Sequence, residues 1–185
     1  MIHPCLLATS VYLSKACACG SYFTPGEEPS NAMHEQLVKL KSKVDHRKAY
    51  NADGVIRFNS FLDFEILLLE TSDHFKNTDE RKISFDNNKG LYALLAMIKT
   101  VADKFDFASA DLFKKLKLYF VQASDEYISL WSIQYASNGA YVFNRERKIT
   151  ITEERADVKE TLNGLIDFFN LVKVSYLLVN YNSKY

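Results

Sequence analysis

The chain has 185 residues, with 23 basic and 23 acidic side chains and a formal net charge of zero. That balance excludes a surface positive all round, the usual mark of a nucleic-acid coat protein. An apolar fraction of 48% with 14% aromatics excludes disordered, collagen-like and low-complexity chains, and a chain of this size buries a core without disulfide or metal support.

The N-terminal stretch is apolar from Cys5 to Leu13 and holds all three cysteines, Cys5, Cys17 and Cys19. An odd number of closely spaced cysteines fits free thiols in a reducing compartment, so the expected location is intracellular, cytoplasmic or nuclear. Cys17-Ala18-Cys19 lacks the usual zinc spacing, with only His3 and His34 to add. Ala16-Cys17-Ala18 has the form of a signal-peptide cleavage site, but no Lys or Arg precedes Lys15. No apolar run reaches the roughly 20 residues that span a bilayer. Gly20, Pro25, Gly26, Pro29 and Ser30 mark 20–31 as a linker. Residues 1–30 therefore read as an N-terminal extension, open to disorder, and 31–185 as a single α/β domain. The abrupt start also leaves room for a longer parent protein.

Met33, Leu37, Leu40 and Val44 recur at helical spacing and predict a helix over 31–46, capped by Ser30 or Asn31. Its polar face carries Lys39, Lys41, Lys43, Arg47 and Lys48, a solvated face or a phosphate-contacting patch. Strands follow at 54–59 and 61–70. The unbroken apolar run Ile66–Leu69 fits a strand covered on both faces. Residues 71–86 read as a loop, and Asp86 as the cap of a helix over 87–105 with Leu91, Leu94, Leu95, Ile98 and Val101 on one side. A helical turn starts at Ser109. Lys114, Lys115 and Lys117 form a second basic cluster.

Strands are predicted at 117–123 and 126–136, with Trp131 and its neighbouring tyrosines as core or as base-stacking rings. Asn138-Gly139 then marks a hairpin into 140–144, with an edge strand at 148–152. A closing helix places Val158, Leu162, Leu165, Ile166, Phe169 and Val172 inward, and its apolar end, Val172–Tyr181, suits burial or a partner. The expected fold is α/β (α+β), a mixed central sheet of about five strands flanked by helices.

Three residues point to chemistry. Asp53, in Asn51-Ala52-Asp53-Gly54-Val55-Ile56, stands at a strand start, where an Asp before a Gly is also a common turn former. Glu70, in Leu69-Glu70-Thr71-Ser72, ends the buried strand. Lys89, in Asn88-Lys89-Gly90, lies in the first turn of the predicted helix, where the helix dipole disfavours a cation. Two carboxylates converging at one sheet edge suit a hard divalent cation, which can activate water and offset phosphoryl charge. No glycine-rich phosphate loop or nucleophile elbow is present.

This arrangement resembles the PD-(D/E)XK nucleases, the restriction-endonuclease-like fold, over about residues 31–135. Members carry an Asp at the start of one strand, Asp/Glu-x-Lys on the next, and then a helix. The resemblance implies Asp53 and Glu70 as Mg²⁺ ligands, with Lys89 as a relocated lysine and Glu65 assisting. Ala52 stands where the family has proline, and Ser72 where it has the lysine that activates water. The implied function is therefore nucleic-acid-related and catalytically impaired, with phosphodiester hydrolysis as the ancestral reaction. Leu68–Ser72, Asp86-x-x-Lys89-Gly90 and Leu130-Trp131-Ser132 are also similar to short uncharacterised proteins of early-diverging fungi. The alternative is a non-catalytic interaction module, binding a protein partner or a second copy through the C-terminal helix at Leu177 and Leu178.

Overall fold

The computed structural model describes residues 2–40, 50–71, 80–124, 127–151 and 158–181. Its elements in chain order are α1 (Ile2–Cys17), β1 (Ser21–Pro29), α2 (Asn31–Lys39), β2 (Asn51–Phe58), β3 (Phe64–Thr71), α3 (Glu80–Lys104), α4 (Ala110–Phe113), β4 (Lys117–Ser124), β5 (Tyr127–Ser137), β6 (Ala140–Thr150) and α5 (Val158–Tyr181). The strands form one six-stranded sheet in sequential order. Among the described residues only β3–β4 is parallel, and α3 lies in that crossover. The mixed α/β architecture agrees with the pattern in the sequence; the strand count among the described residues is six rather than about five.

Strand register assigns the faces. Phe120 of β4 packs on Gly90 of α3 and pairs with Leu68 and Trp131, so these residues share the α3 face. Ile149 of β6 packs on Gly164 of α5, and its partner Ile128 lies three residues from Trp131, on the opposite face. α2 lies against α3, and α1 against α5. The helices thus cover both faces, and one core runs from Leu6 and Leu13 through Ile56, Leu67, Leu68 and Phe120 to Phe168. Ile66, Leu67, Leu68 and Leu69 are all buried, as a strand covered on both faces requires.

Several expectations are corrected. Residues 1–30 are not an extension. α1 buries Leu6, Thr9, Ser10 and Leu13, and β1 pairs with β2 from Ser21 to Pro29. The buried hydroxyls hid the helix, because Thr9 donates to the Cys5 carbonyl at 2.9 Å and Ser10 to that of Leu7 at 2.8 Å. Back-bonding lets polar residues occupy an apolar interface and blurs its periodicity. The prolines of the supposed linker are tolerated because β1 is an edge strand, and Gly26, with φ +103°, sits in its bulge. Cys5, Cys17 and Cys19 are free thiols. Cys19 is fully buried, and burial pushes its pKa up.

Asp86 does not cap a helix, because α3 already begins at Glu80. The pieces expected at 140–144 and 148–152 are one bulged strand, β6. α2 ends at Lys39, and the rest of the helix predicted to residue 46 lies outside the described residues. α5 extends through Leu177 and Leu178, whose side chains also lie outside them.

Gly90 sets how closely α3 approaches the sheet. A Cβ there would stand 2.5 Å from two ring carbons of Phe120, a residue with no exposed surface. Overpacking an enclosed ring costs about 1–3 kcal/mol, more than the ~1 kcal/mol that alanine gains over glycine in a helix. Gly90→Ala is expected to lower the urea unfolding midpoint, by a net loss of up to about 2 kcal/mol.

Candidate functional site

Asp53 lies within β2, not in a turn before it, and Glu70 is the penultimate residue of β3. The antiparallel ladder between these strands has its last pair at Gly54 and Leu69, so Asp53 and Glu70 are the next residues on each strand. Asp53 is two residues from Val55, which pairs with Leu68, so both carboxylates share the α3 face. Asp53 Oδ2 accepts from the Thr71 amide at 2.6 Å and from the Thr71 hydroxyl. Those bonds hold its carboxylate against the end of β3.

Lys89 enters from the helix above, one residue before the close contact at Gly90. Its ammonium donates to Glu70 Oε1 at 3.0 Å and to the Asn51 carbonyl at 3.2 Å, and lies 4.6 Å from the centre of the Tyr50 ring. Lys89 therefore does not simply extend into solvent; because α3 begins at Glu80, it lies in the third turn rather than the first, where the helix dipole no longer disfavours a cation, and a carboxylate, a backbone carbonyl and a ring hold it. The structure thus draws Asp53, Glu70 and Lys89 together at one end of the interior strands β2 and β3. Tyr50, Asn51 and Gln122 join them and were not singled out in the sequence. Tyr50 sits just before β2, its carbonyl accepting from the Ser30 amide at 2.9 Å. Gln122 is buried and pairs with Glu70 across the parallel ladder.

Burial raises the pKa of Glu70 above the usual carboxylate range. The ammonium of Lys89 and the hydroxyl of Tyr50 draw it back down, and the negative Asp53 adds to the rise. Tyr50 is 6% exposed, and burial together with the adjacent Glu70 pushes its phenol well above the ordinary tyrosine value. Its hydroxyl faces Glu70 without a hydrogen bond of regular geometry.

Glu65 does not assist this site. It is buried, and accepts from Ser30 Oγ at 2.8 Å, the Asn31 amide at 2.7 Å, the Ala32 amide at 3.3 Å and Arg57 Nη2 at 3.2 Å. It anchors the start of α2 to the sheet, beside a cleft of about 170 Å³ that Asp63 and Lys104 also line. Most described residues of the basic clusters are paired, with Lys115 left exposed. Lys39 pairs with Asp103 at 2.6 Å, Lys114 with Asp111 at 3.7 Å and Lys117 with Glu146 at 2.8 Å. Lys41, Lys43, Arg47 and Lys48 lie outside those residues, as does Ser72.

Among the described residues, no three of His, Cys, Asp and Glu gather as a metal cage. What the site offers is two hard carboxylates. Among the described residues, hydrogen bonds engage Oδ2 of Asp53 and Oε1 of Glu70, which makes Oδ1 and Oε2 the candidate ligand atoms. One or two carboxylates with water completing the shell is a usual Mg²⁺ arrangement, so the donor set fits. No helix among the described residues is long and apolar enough to cross a membrane. No protein-family model, curated protein or solved structure matches this chain.

Proposed function

We propose that the chain is a restriction-endonuclease-like domain of the PD-(D/E)XK kind, acting on nucleic acid with an impaired catalytic site. The observation that carries this reading is the meeting of Asp53 and Glu70 at adjacent strand ends, with Lys89 at 3.0 Å from Glu70. The order around them supports it: the first carboxylate on one strand, the second on its hairpin partner, then a helix. Asp53 and Glu70 would hold Mg²⁺, which supplies Lewis acidity toward a phosphoryl oxygen and an activated water.

Lys89 positions Glu70 and opposes the rise in pKa that burial imposes on it. It is tied to Glu70 and Asn51, and Ser72 has no charge to take over proton transfer. Loss of a positioned acid–base group lowers a rate by roughly 10²–10⁴-fold. The expected result is slow cleavage of a labelled oligonucleotide in Mn²⁺, visible at stoichiometric protein and absent in Asp53→Ala and Glu70→Ala. Cleavage that both variants retain, or none by the native chain at stoichiometric protein, contradicts the proposal.

A second reading, an interaction module built on α5, has one observation in its favour. Leu162 and Ile166, one turn apart, are 47% and 58% exposed. Sedimentation of the native chain against Ile166→Glu tests it: a self-associating module shifts to the monomer, and an unchanged monomer removes the dimer form of this reading.

A further inference from the structure

We infer that the β5–β6 ribbon is a docking track for single-stranded nucleic acid, with Arg145 and Lys148 as its phosphate contacts. The inference rests on the nucleic-acid reading above and names where the substrate strand lies. Strand register puts the track in line with the carboxylates. Glu70 pairs with Gln122, Gln122 with Ser129 and Ser129 with Lys148. Cross-strand partners share a face, so this polar row crosses four strands on the α3 face. Glu70, Gln122 and Ser129 are buried, and Lys148 is exposed. Three strand spacings of ~4.8 Å put the ends of the row about 14 Å apart.

Arg145 lies on the same face, opposite Trp131, which pairs in turn with Phe120 under α3. Both cations rest on rings. The Arg145 guanidinium is 5.5 Å from the Trp131 centroid, and the Lys148 ammonium is 3.7 Å from that of Tyr127. Trp131 is itself stacked on Phe143 at 4.9 Å with planes 3° apart. Such contacts hold a long side chain in place, so less freedom is lost when a phosphate arrives.

The neighbouring charges on β6 are spent elsewhere. Glu146 accepts from Lys117 and Ser132 at 2.8 and 2.6 Å, and Arg147 pairs with Asp167 at 3.6 Å. Among the described residues, Arg145 and Lys148 make no ion pair, so they give a chain of zero net charge a local positive strip. Half-buried Tyr135, Tyr141 and Phe143 beside the strip offer apolar ring surface to unpaired bases. A duplex keeps its bases stacked inside and gains nothing from these rings, which favours a single strand.

The test is fluorescence anisotropy with a labelled single-stranded oligonucleotide, over a range of salt, on the native chain and Arg145→Gln/Lys148→Gln. A control, Lys99→Gln/Lys159→Gln, removes the same charge from exposed positions on α3 and α5. The double variant on β6 is expected to lose about tenfold or more in affinity. Its log–log salt slope should be shallower by about 1.4, at ~0.7 per phosphate contact. An equal loss in the control, tighter binding to duplex, or no binding by the native chain at low salt overturns the track. Mn²⁺ binding on the same preparations separates this from the reading beneath it. A native chain that binds Mn²⁺ through Glu70 but no oligonucleotide overturns the track alone. Oligonucleotide binding lost with Arg145 and Lys148, in a chain that binds no Mn²⁺, upholds the track and overturns the metal site.

Discussion

Glu65→Ala is expected to lower the unfolding free energy by about 3–5 kcal/mol, the usual cost of removing one partner from a buried ion pair. The side chains of Arg57 and Glu65 are 4% and 2% exposed, with Nη2 and Oε1 3.2 Å apart. Glu65 also accepts the first amides of α2 and the Ser30 hydroxyl, so its loss leaves both a cation and a helix start short of partners. Arg57 keeps Glu28 at 2.7 Å and the Pro29 carbonyl at 2.9 Å, while its Nε is buried without a partner. Those remaining bonds hold the loss within that range rather than above it. The exposed Lys39–Asp103 pair, with side chains 53% and 37% exposed, gives the contrast: removing Lys39 should cost no more than about 1 kcal/mol. Urea unfolding of both variants checks the comparison, and a Glu65→Ala loss below about 1 kcal/mol contradicts it. The consequence reaches the site, because Ser30, bonded to Glu65, also donates its amide to the carbonyl of Tyr50, just before β2.

Divalent-cation affinity is expected to rise with pH through a midpoint above the ordinary glutamate range, and Lys89→Met should move that midpoint higher. A cation needs Glu70 without its proton. Below the Glu70 pKa, each unit of pH therefore costs about a factor of ten in affinity. Burial raises that pKa and Lys89 lowers it, so removing the ammonium gives burial more weight. Tyr50→Phe acts in the same direction, through loss of the hydroxyl that faces Glu70. Isothermal titration at a series of pH values reads the midpoint; an unshifted midpoint in Lys89→Met contradicts the assigned coupling.

The stability of the fold follows a different sign at different carboxylates. A raised folded-state pKa means that Glu70 contributes stability at low pH and loses it as pH rises through that pKa. Asp103 is held low by Lys39 and Gln36. Burial pulls Glu146 upward, but Lys117 and Ser132 outweigh it and hold it low. Both contribute stability above the unfolded value and lose it as pH falls. The site carboxylate is thus the one whose contribution falls as pH rises, because burial outweighs the lysine beside it.

The buried strand β3, the long helix α3 and the β5–β6 hairpin were legible in the sequence, because each carries a strong local signal: Ile66–Leu69 for the strand, the leucine stripe for the helix and Asn138-Gly139 for the turn. α1 and β1 were not. Thr9 and Ser10 satisfy their hydroxyls within the helix, and Pro25 and Gly26 are harmless on an edge strand; both facts depend on tertiary position. At the site, Asp53, Glu70 and Lys89 could be named because each is a charged residue at the boundary of an apolar segment. Tyr50 and Gln122 could not, since only strand register and the crossover by α3 bring them to Glu70. The basic residues pointed the wrong way. Lys39, Lys114 and Lys117, which belong to the clusters in the sequence, are paired in the fold. Arg145 and Lys148, three residues apart, meet rings on one face only because Glu146 forms a bulge between Arg145 and Arg147.

The central claim is that Asp53 and Glu70 form one cation-binding pair, and calorimetric titration with Mg²⁺ and Mn²⁺ tests it most directly. The native chain is expected to bind at millimolar metal, and Glu70→Ala, with unchanged circular dichroism, to show no binding heat. Equal binding by the native chain and Glu70→Ala, or no binding by the native chain at alkaline pH, would contradict the account.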